Sequence, residues 1–213
     1  MLVDFPLKKV SGSQMSERSN AIARVHAYWE GLRRNGGLPQ RADIDPRALP
    51  GCLANTFLIE RVSPGVSRFR LAGAVLSEVM GMDVRGMPFL ALIEPAERSR
   101  MAERVEQVYQ DPSILELVLE SDGNRRLGAR IVLLPVESLH GVDMALGCLQ
   151  TEGLFGNAPR RFLPVRALTE RILDERVRPA GFAEPPASFE GPQRRPGLRL
   201  VYSSDHKISS KDR

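Results

Sequence analysis

Residues 114–151 of this 213-residue chain constrain its fold more than any other stretch. Three β-rich runs follow one another there: Ile114 to Glu120, Arg126 to Pro135 and Val142 to Thr151. The first two are separated by the turn signal Asp122-Gly123-Asn124, and Gly141 sits between the last two. Parallel neighbours need a crossover of about a dozen residues or more, so runs joined this closely form an antiparallel meander. Leu127, Ala129, Ile131 and Leu133 alternate through the middle run and mark one face of that sheet as buried.

Two earlier runs extend the sheet. Thr56 to Val62 is β-rich, Ser63-Pro64-Gly65 is a turn, and Ser67 to Gly73 alternates Phe69 and Leu71 with Arg68 and Arg70. Residues 74–93 are apolar without a regular period and are broken by Gly81, Gly86 and Pro88, which predicts short helical turns laid over the sheet. Pro95 starts a better helix carrying Met101, Val105 and Val108 on one face, and Asp111-Pro112 ends it. The order predicts an α+β fold: a five-stranded antiparallel sheet with helices covering one face.

Upstream, Ile22, Val25, Trp29 and Leu32 recur at helical spacing after Ser16, an N-cap, and before Gly36-Gly37. This N-terminal amphipathic helix is either a packing element or a dimer contact. Asp45-Pro46 reads as the N-cap and first residue of a short turn, closed by Pro50-Gly51. Residues 1–15 read as a flexible leader, 16–155 as one domain, 156–178 as a further helix with Leu168 and Ile172 on its apolar edge, and 179–213 as a Pro/Arg-rich disordered tail. Leu198 to Tyr202 is its one β-rich stretch.

Charge follows this division. Residues 155–213 hold 12 Lys+Arg against 7 Asp+Glu, whereas residues 1–154 hold 18 against 19. A near-neutral domain argues against nucleic-acid binding by the domain itself. The pairs Arg160-Arg161 and Arg194-Arg195 leave a tail contact with an acidic partner open. No apolar run approaches the roughly 20 residues of a membrane span, and the first ten residues lack the core of a secretory signal. The expected compartment is the cytoplasm, where Cys52 and Cys148 stay reduced. They read as buried hydrophobes, a redox switch being the alternative.

The chain shows no sequence signature of catalysis. Its histidines are His26, His140 and His206, and none stands at metal-ligand spacing with Cys or Asp. No nucleophile elbow, zinc-protease or phosphate-loop motif is present. An apolar pocket can instead be built from Phe57, Phe69, Ile131 and Leu133 of the sheet with Met80, Met82, Met87, Phe89 and Leu92 of the cover. Arg68, Arg70 or Arg130 would supply charge for an acidic ligand. The alternative is that these residues fill the core.

Three segments together carry a family resemblance: Trp29-Glu30-Gly31-Leu32-Arg33, Leu38-Pro39-Gln40-Arg41-Ala42-Asp43-Ile44-Asp45-Pro46, and Arg68-Phe69-Arg70-Leu71-Ala72-Gly73 with Gly81 and Gly86 downstream. Over residues 20 to 155 the chain resembles a divergent class of PAS-domain proteins from proteobacteria. The resemblance implies a PAS fold, a sensory or regulatory role, and a homodimer through the N-terminal helix. It names no cofactor. Flavin photosensors of this fold carry a reactive cysteine on a short helix after the second strand, and residues 74–93 have none. Haem-binding members often use a histidine on the long helix, and residues 95–111 have none. Met80, Met82 and Met101 read as core filler rather than iron ligands. The expectation is a stand-alone module that binds a small molecule or a partner and signals to a separate protein. A ligand-free adaptor is the alternative, and a nucleic-acid binder acting through the tail is a third.

Overall fold

The structure is a computed structural model that describes residues 21–34, 36–121, 126–153 and 155–172. The expected leader, the Ser16 cap, the turn at 122–124, His206, Leu198 to Tyr202 and the tail from 179 lie outside the described residues. The described residues all belong to one compact unit.

Helix α1 spans Ala21–Leu32. A connector with single 3-10 turns at Arg41–Asp43, Pro46–Ala48 and Leu53–Asn55 leads into β1, Thr56–Ser63, and β2, Val66–Ala72. Asp45 caps its turn as its sequence predicts, accepting from the Arg47 N–H at 2.9 Å ahead of Pro46. Helix α2 is Ala74–Met80, and Gly81 ends it in the left-handed conformation with φ 70°. A 3-10 turn at Phe89–Leu92 and another at Pro95–Glu97 precede α3, Arg98–Gln110. Strands β3, Ser113–Ser121, β4, Leu127–Ser138, and β5, Gly141–Glu152, form the expected meander.

A sixth strand, β6, occupies Leu163–Arg171 and pairs with β3. Over Leu163–Arg171 this corrects the helix expected at 156–178, whose residues 173–178 lie outside the described residues, and it carries the sheet past residue 155. Leu168 and Ile172 give only a thin apolar edge for a helix, while β3 offers a row of N–H and C=O groups that require partners. Val165 is the extra residue of a bulge, because Val118 pairs with Arg166 and Leu119 with Pro164. Pro164 is tolerated because β6 is an edge strand. The antiparallel sheet runs β2-β1-β5-β4-β3-β6.

The central strands of the sheet are buried on both faces. Leu127, Ala129, Ile131 and Leu133 face a core roofed by α2, α3 and the turn at Phe89–Leu92. Val132, Leu134 and Val136 face a second core capped by α1 through Ala21, Val25 and Trp29. Burial on both sides explains why β4 reads as a near-continuous apolar run. Ile22 and Leu32 are half-buried, and Ile22 packs against the same core. The apolar side of α1 therefore packs within its own chain. Among the described residues no helix is long and apolar enough to cross a membrane.

Candidate functional site

The residues expected to line a pocket are packed against one another beneath the helical cover. Phe57 of β1, Phe69 of β2 and Phe89 of the cover meet with ring centroids 5.5, 6.1 and 5.9 Å apart. Such offset and edge contacts add to their burial. Gly147 makes this possible. It pairs with Phe57 across β1 and β5, and a Cβ there would stand 2.2 Å from the ring. Met80, Leu92, Ile131 and Leu133 are buried in the same core, and Met87 is half-buried against it. Met82 lies at the surface, 52% exposed, just past Gly81. The three arginines face other partners: Arg68 donates to the Gly86 carbonyl at 2.8 Å, Arg70 pairs with Glu60, and Arg130 lies 3.9 Å from Glu116.

A polar latch closes one end of this core. The Glu106 carboxylate on α3 accepts from Arg61 Nε at 2.9 Å and Nη2 at 2.5 Å, from the Gly65 N–H at 3.0 Å and from Gln110 Nε2 at 3.0 Å. The Arg61 guanidinium, then the Gly65 N–H, hold the Glu106 carboxyl below the usual carboxylate range against the opposing effect of burial. Next to it the hydroxyls of Tyr109 and Ser67 lie 3.0 Å apart in a buried pair, and burial pushes the Tyr109 phenol well above its ordinary value. These contacts fasten α3 to the β1–β2 hairpin.

The chain leaving β5 is laced to the cover before it becomes β6. The Arg160 N–H donates to the Val79 carbonyl of α2 at 2.9 Å. The Phe162 N–H donates to the Leu92 carbonyl at 2.8 Å, and the Phe162 carbonyl accepts from the Glu94 N–H at 3.0 Å. Phe162 is fully buried in the core beneath the cover. Arg160, one of the basic pair that the sequence left open for contact with an acidic partner, is buried. Its side chain donates to Ser121 Oγ at 3.1 Å, to the Ser121 carbonyl at 2.7 Å and to the Phe155 carbonyl at 3.1 Å. Such a set of acceptors is what a buried guanidinium requires.

A groove of about 350 Å³ opens on the α1 side of the sheet, where the connector passes β1 and β2. Ile44, Leu49 and Leu53 of the connector face Leu58, Leu71 and Leu146 of the sheet, with Arg41 and Arg85 also in the lining. Tyr28 shapes it, because its hydroxyl accepts from the Asp45 N–H at 2.8 Å and holds the connector to α1. Gly73 lies in its wall, and a Cβ there would stand 2.3 Å from the Ala54 carbonyl oxygen. Nothing in the sequence marks this groove, since its walls come from four separated segments.

Both cysteines are buried and free, and burial pushes the Cys148 thiol up to about 12. That is the opposite of what a redox switch requires. His26 stacks beside Trp29 at 6.2 Å, and His140 sits in the β4–β5 turn. Among the described residues no three His, Cys, Asp or Glu side chains gather in a metal-holding group.

With this geometry in place, comparison with known proteins shows that a family model described as PAS domain matches residues 15–150. No curated protein matches the sequence. The matched stretch ends within β5, so the laced crossover and β6 follow it.

Proposed function

The chain belongs to the PAS-domain family, and from that premise we propose a cytoplasmic regulatory module, not an enzyme, that reads the packing of its helical cover and reports it to a separate signalling protein through β6. PAS domains are in general sensory and regulatory modules. The observation that carries the reading is the lacing of residues 160–162 to Val79, Leu92 and Glu94. A shift of α2 or of the turn at Phe89–Leu92 breaks or moves these bonds, and the next residue is the first of β6. Leu163, Val165 and Leu168 of β6 are 48%, 57% and 52% exposed, which suits a partner contact. The apolar side of α1 is taken up inside the chain, so β6 is favoured over α1 as the contact surface, including for a second copy of the chain. The input is a small molecule or a protein that biases one packing of the cover. The close-packed rings of Phe57, Phe69 and Phe89 favour a second reading, a ligand-free adaptor whose input is itself a protein contact.

Hydrogen exchange tests the coupling. Phe89→Ala loosens the cover, and Val25→Ala loosens the opposite core. Phe89→Ala is expected to speed exchange at residues 160–171 by about tenfold more than a Val25→Ala protein compared at equal global stability. Equal acceleration in the two variants removes the route to β6. Native mass spectrometry separates the two readings of the input: a mass excess lost on denaturation identifies a carried ligand, and a clean mass favours the adaptor.

A further inference from the structure

We propose that the groove between the connector and the β1–β2 hairpin is a binding site for an apolar-chain carboxylate. The proposal names an input for the regulatory reading and rests on that reading for its purpose. Its volume of about 350 Å³ falls in the range of small-molecule sites. Leu53 and Leu71, on opposite walls, are 50% and 47% exposed, so apolar surface faces solvent inside a concave site. A chain of methylenes laid between them removes that surface from water.

Charge selects the other end of the ligand. Two arginines, Arg41 and Arg85, are among the residues lining the groove, and no acidic residue is. Arg85 is already gripped by Asp83, with Nε 2.8 Å from one carboxylate oxygen. Arg41 is half-buried and has no ion-pair partner among the described residues. The site therefore offers one uncompensated positive charge beside an apolar trough. A monoanion balances it, and a dianionic phosphate does not. A planar carboxylate also matches the fork of the Arg41 guanidinium. The groove lies on the α1 side of the sheet, opposite the cover. Phe57, which lines the groove and belongs to the core beneath the cover, joins the two.

The test uses the full chain with sodium decanoate kept below its micelle concentration, read by calorimetry and by methyl chemical shifts. Decanoate is expected to bind one to one and to shift the methyl groups of Leu53, Leu71 and Leu146. Octanoate should bind weaker by about fourfold for each missing methylene. Arg41→Gln should weaken decanoate by about tenfold or more while leaving 1-decanol unchanged. Leu71→Asp, at a position 47% exposed, should abolish binding of both. The proposal is overturned if Arg41→Gln leaves decanoate affinity unchanged, if decanol binds the unaltered protein as tightly as decanoate, or if the shifts fall on Leu92, Ile131 and Leu133 beneath the cover. The exchange experiment on Phe89→Ala uses no ligand, so its result stands apart from this one.

Discussion

The indole Nε1 of Trp29 donates to the carbonyl oxygen of Pro135 at 2.8 Å, a buried hydrogen bond between α1 and the back of the sheet. β3 pairs with β4 only as far as Leu133, so Pro135 stands past the end of that ladder. A proline there forfeits no ladder N–H, and the indole satisfies the carbonyl. Arg33 completes the arrangement, its guanidinium 5.4 Å from the centre of the indole ring while it donates to the Gly36 and Gly37 carbonyls.

Trp29→Phe keeps most of the apolar contact but orphans the Pro135 carbonyl, and is expected to cost about 1–3 kcal/mol. Trp29→Ala also opens a cavity and is expected to cost about 3–5 kcal/mol. Urea unfolding measures both. If the two variants lose the same stability, the ring contributes nothing beyond its hydrogen bond, and the packing account of α1 fails.

The latch on α3 makes a pH prediction. The folded-state pKa of Glu106 is depressed by Arg61, so its stabilisation is fully present above the unfolded carboxylate value of about 4.3 and is lost as pH falls through the folded value. Glu106 is 13% exposed and Arg61 30%, so the pair is only partly screened. Glu106→Gln is expected to cost about 1–2 kcal/mol at neutral pH. Thermal melts of the two proteins should stay apart down to the unfolded carboxylate value and converge only as pH falls through the depressed folded value. A gap that persists at low pH would assign the loss to the amide's geometry instead of the charge.

The sheet was legible because period-two alternation and turn residues are local signals. The segments 56–62, 67–73, 114–120, 126–135 and 142–151 all became strands, and Pro95 opens the 3-10 turn that runs into α3. The strand at Leu163–Arg171 was not legible. Leu168 and Ile172 stand four apart like a helix edge, and only the open side of β3 decides for a strand. Residue type also foretold that Phe57, Phe69, Phe89, Leu92, Ile131 and Leu133 are buried. It carries no information on whether the space among them is filled, which depends on Gly147 letting the Phe57 ring settle on β5. The groove at Arg41, Leu53 and Leu71 arises only from tertiary placement of the connector.

Cys52 and Cys148 should resist alkylation in the native protein. Cys148 pairs with Thr56 across β1 and β5, and burial pushes its thiol up to about 12, which leaves little of the reactive thiolate at the pH of labelling. Iodoacetamide labelling is expected to reach both thiols only in denaturant. Labelling of either one in the native state, at a rate near that of a free thiol, would restore the redox-switch reading.

Gly147 and Phe57 should behave as one unit. Gly147→Ala sets a methyl 2.2 Å from the Phe57 ring, which cannot retreat because Phe69 and Phe89 hold it from the other side. Overpacking of this kind is expected to cost about 1–3 kcal/mol, or more if β5 itself must move. Phe57→Leu alone should cost less than about 1.5 kcal/mol if the neighbours repack around the smaller side chain. The double variant is expected to be more stable than the sum of the two losses, because the smaller side chain makes room for the methyl. Strict additivity in urea unfolding would mean that the ring does not rest on Gly147. The hydrophobic core beneath the cover would then have slack that a ligand could occupy, and the adaptor reading would lose its main support.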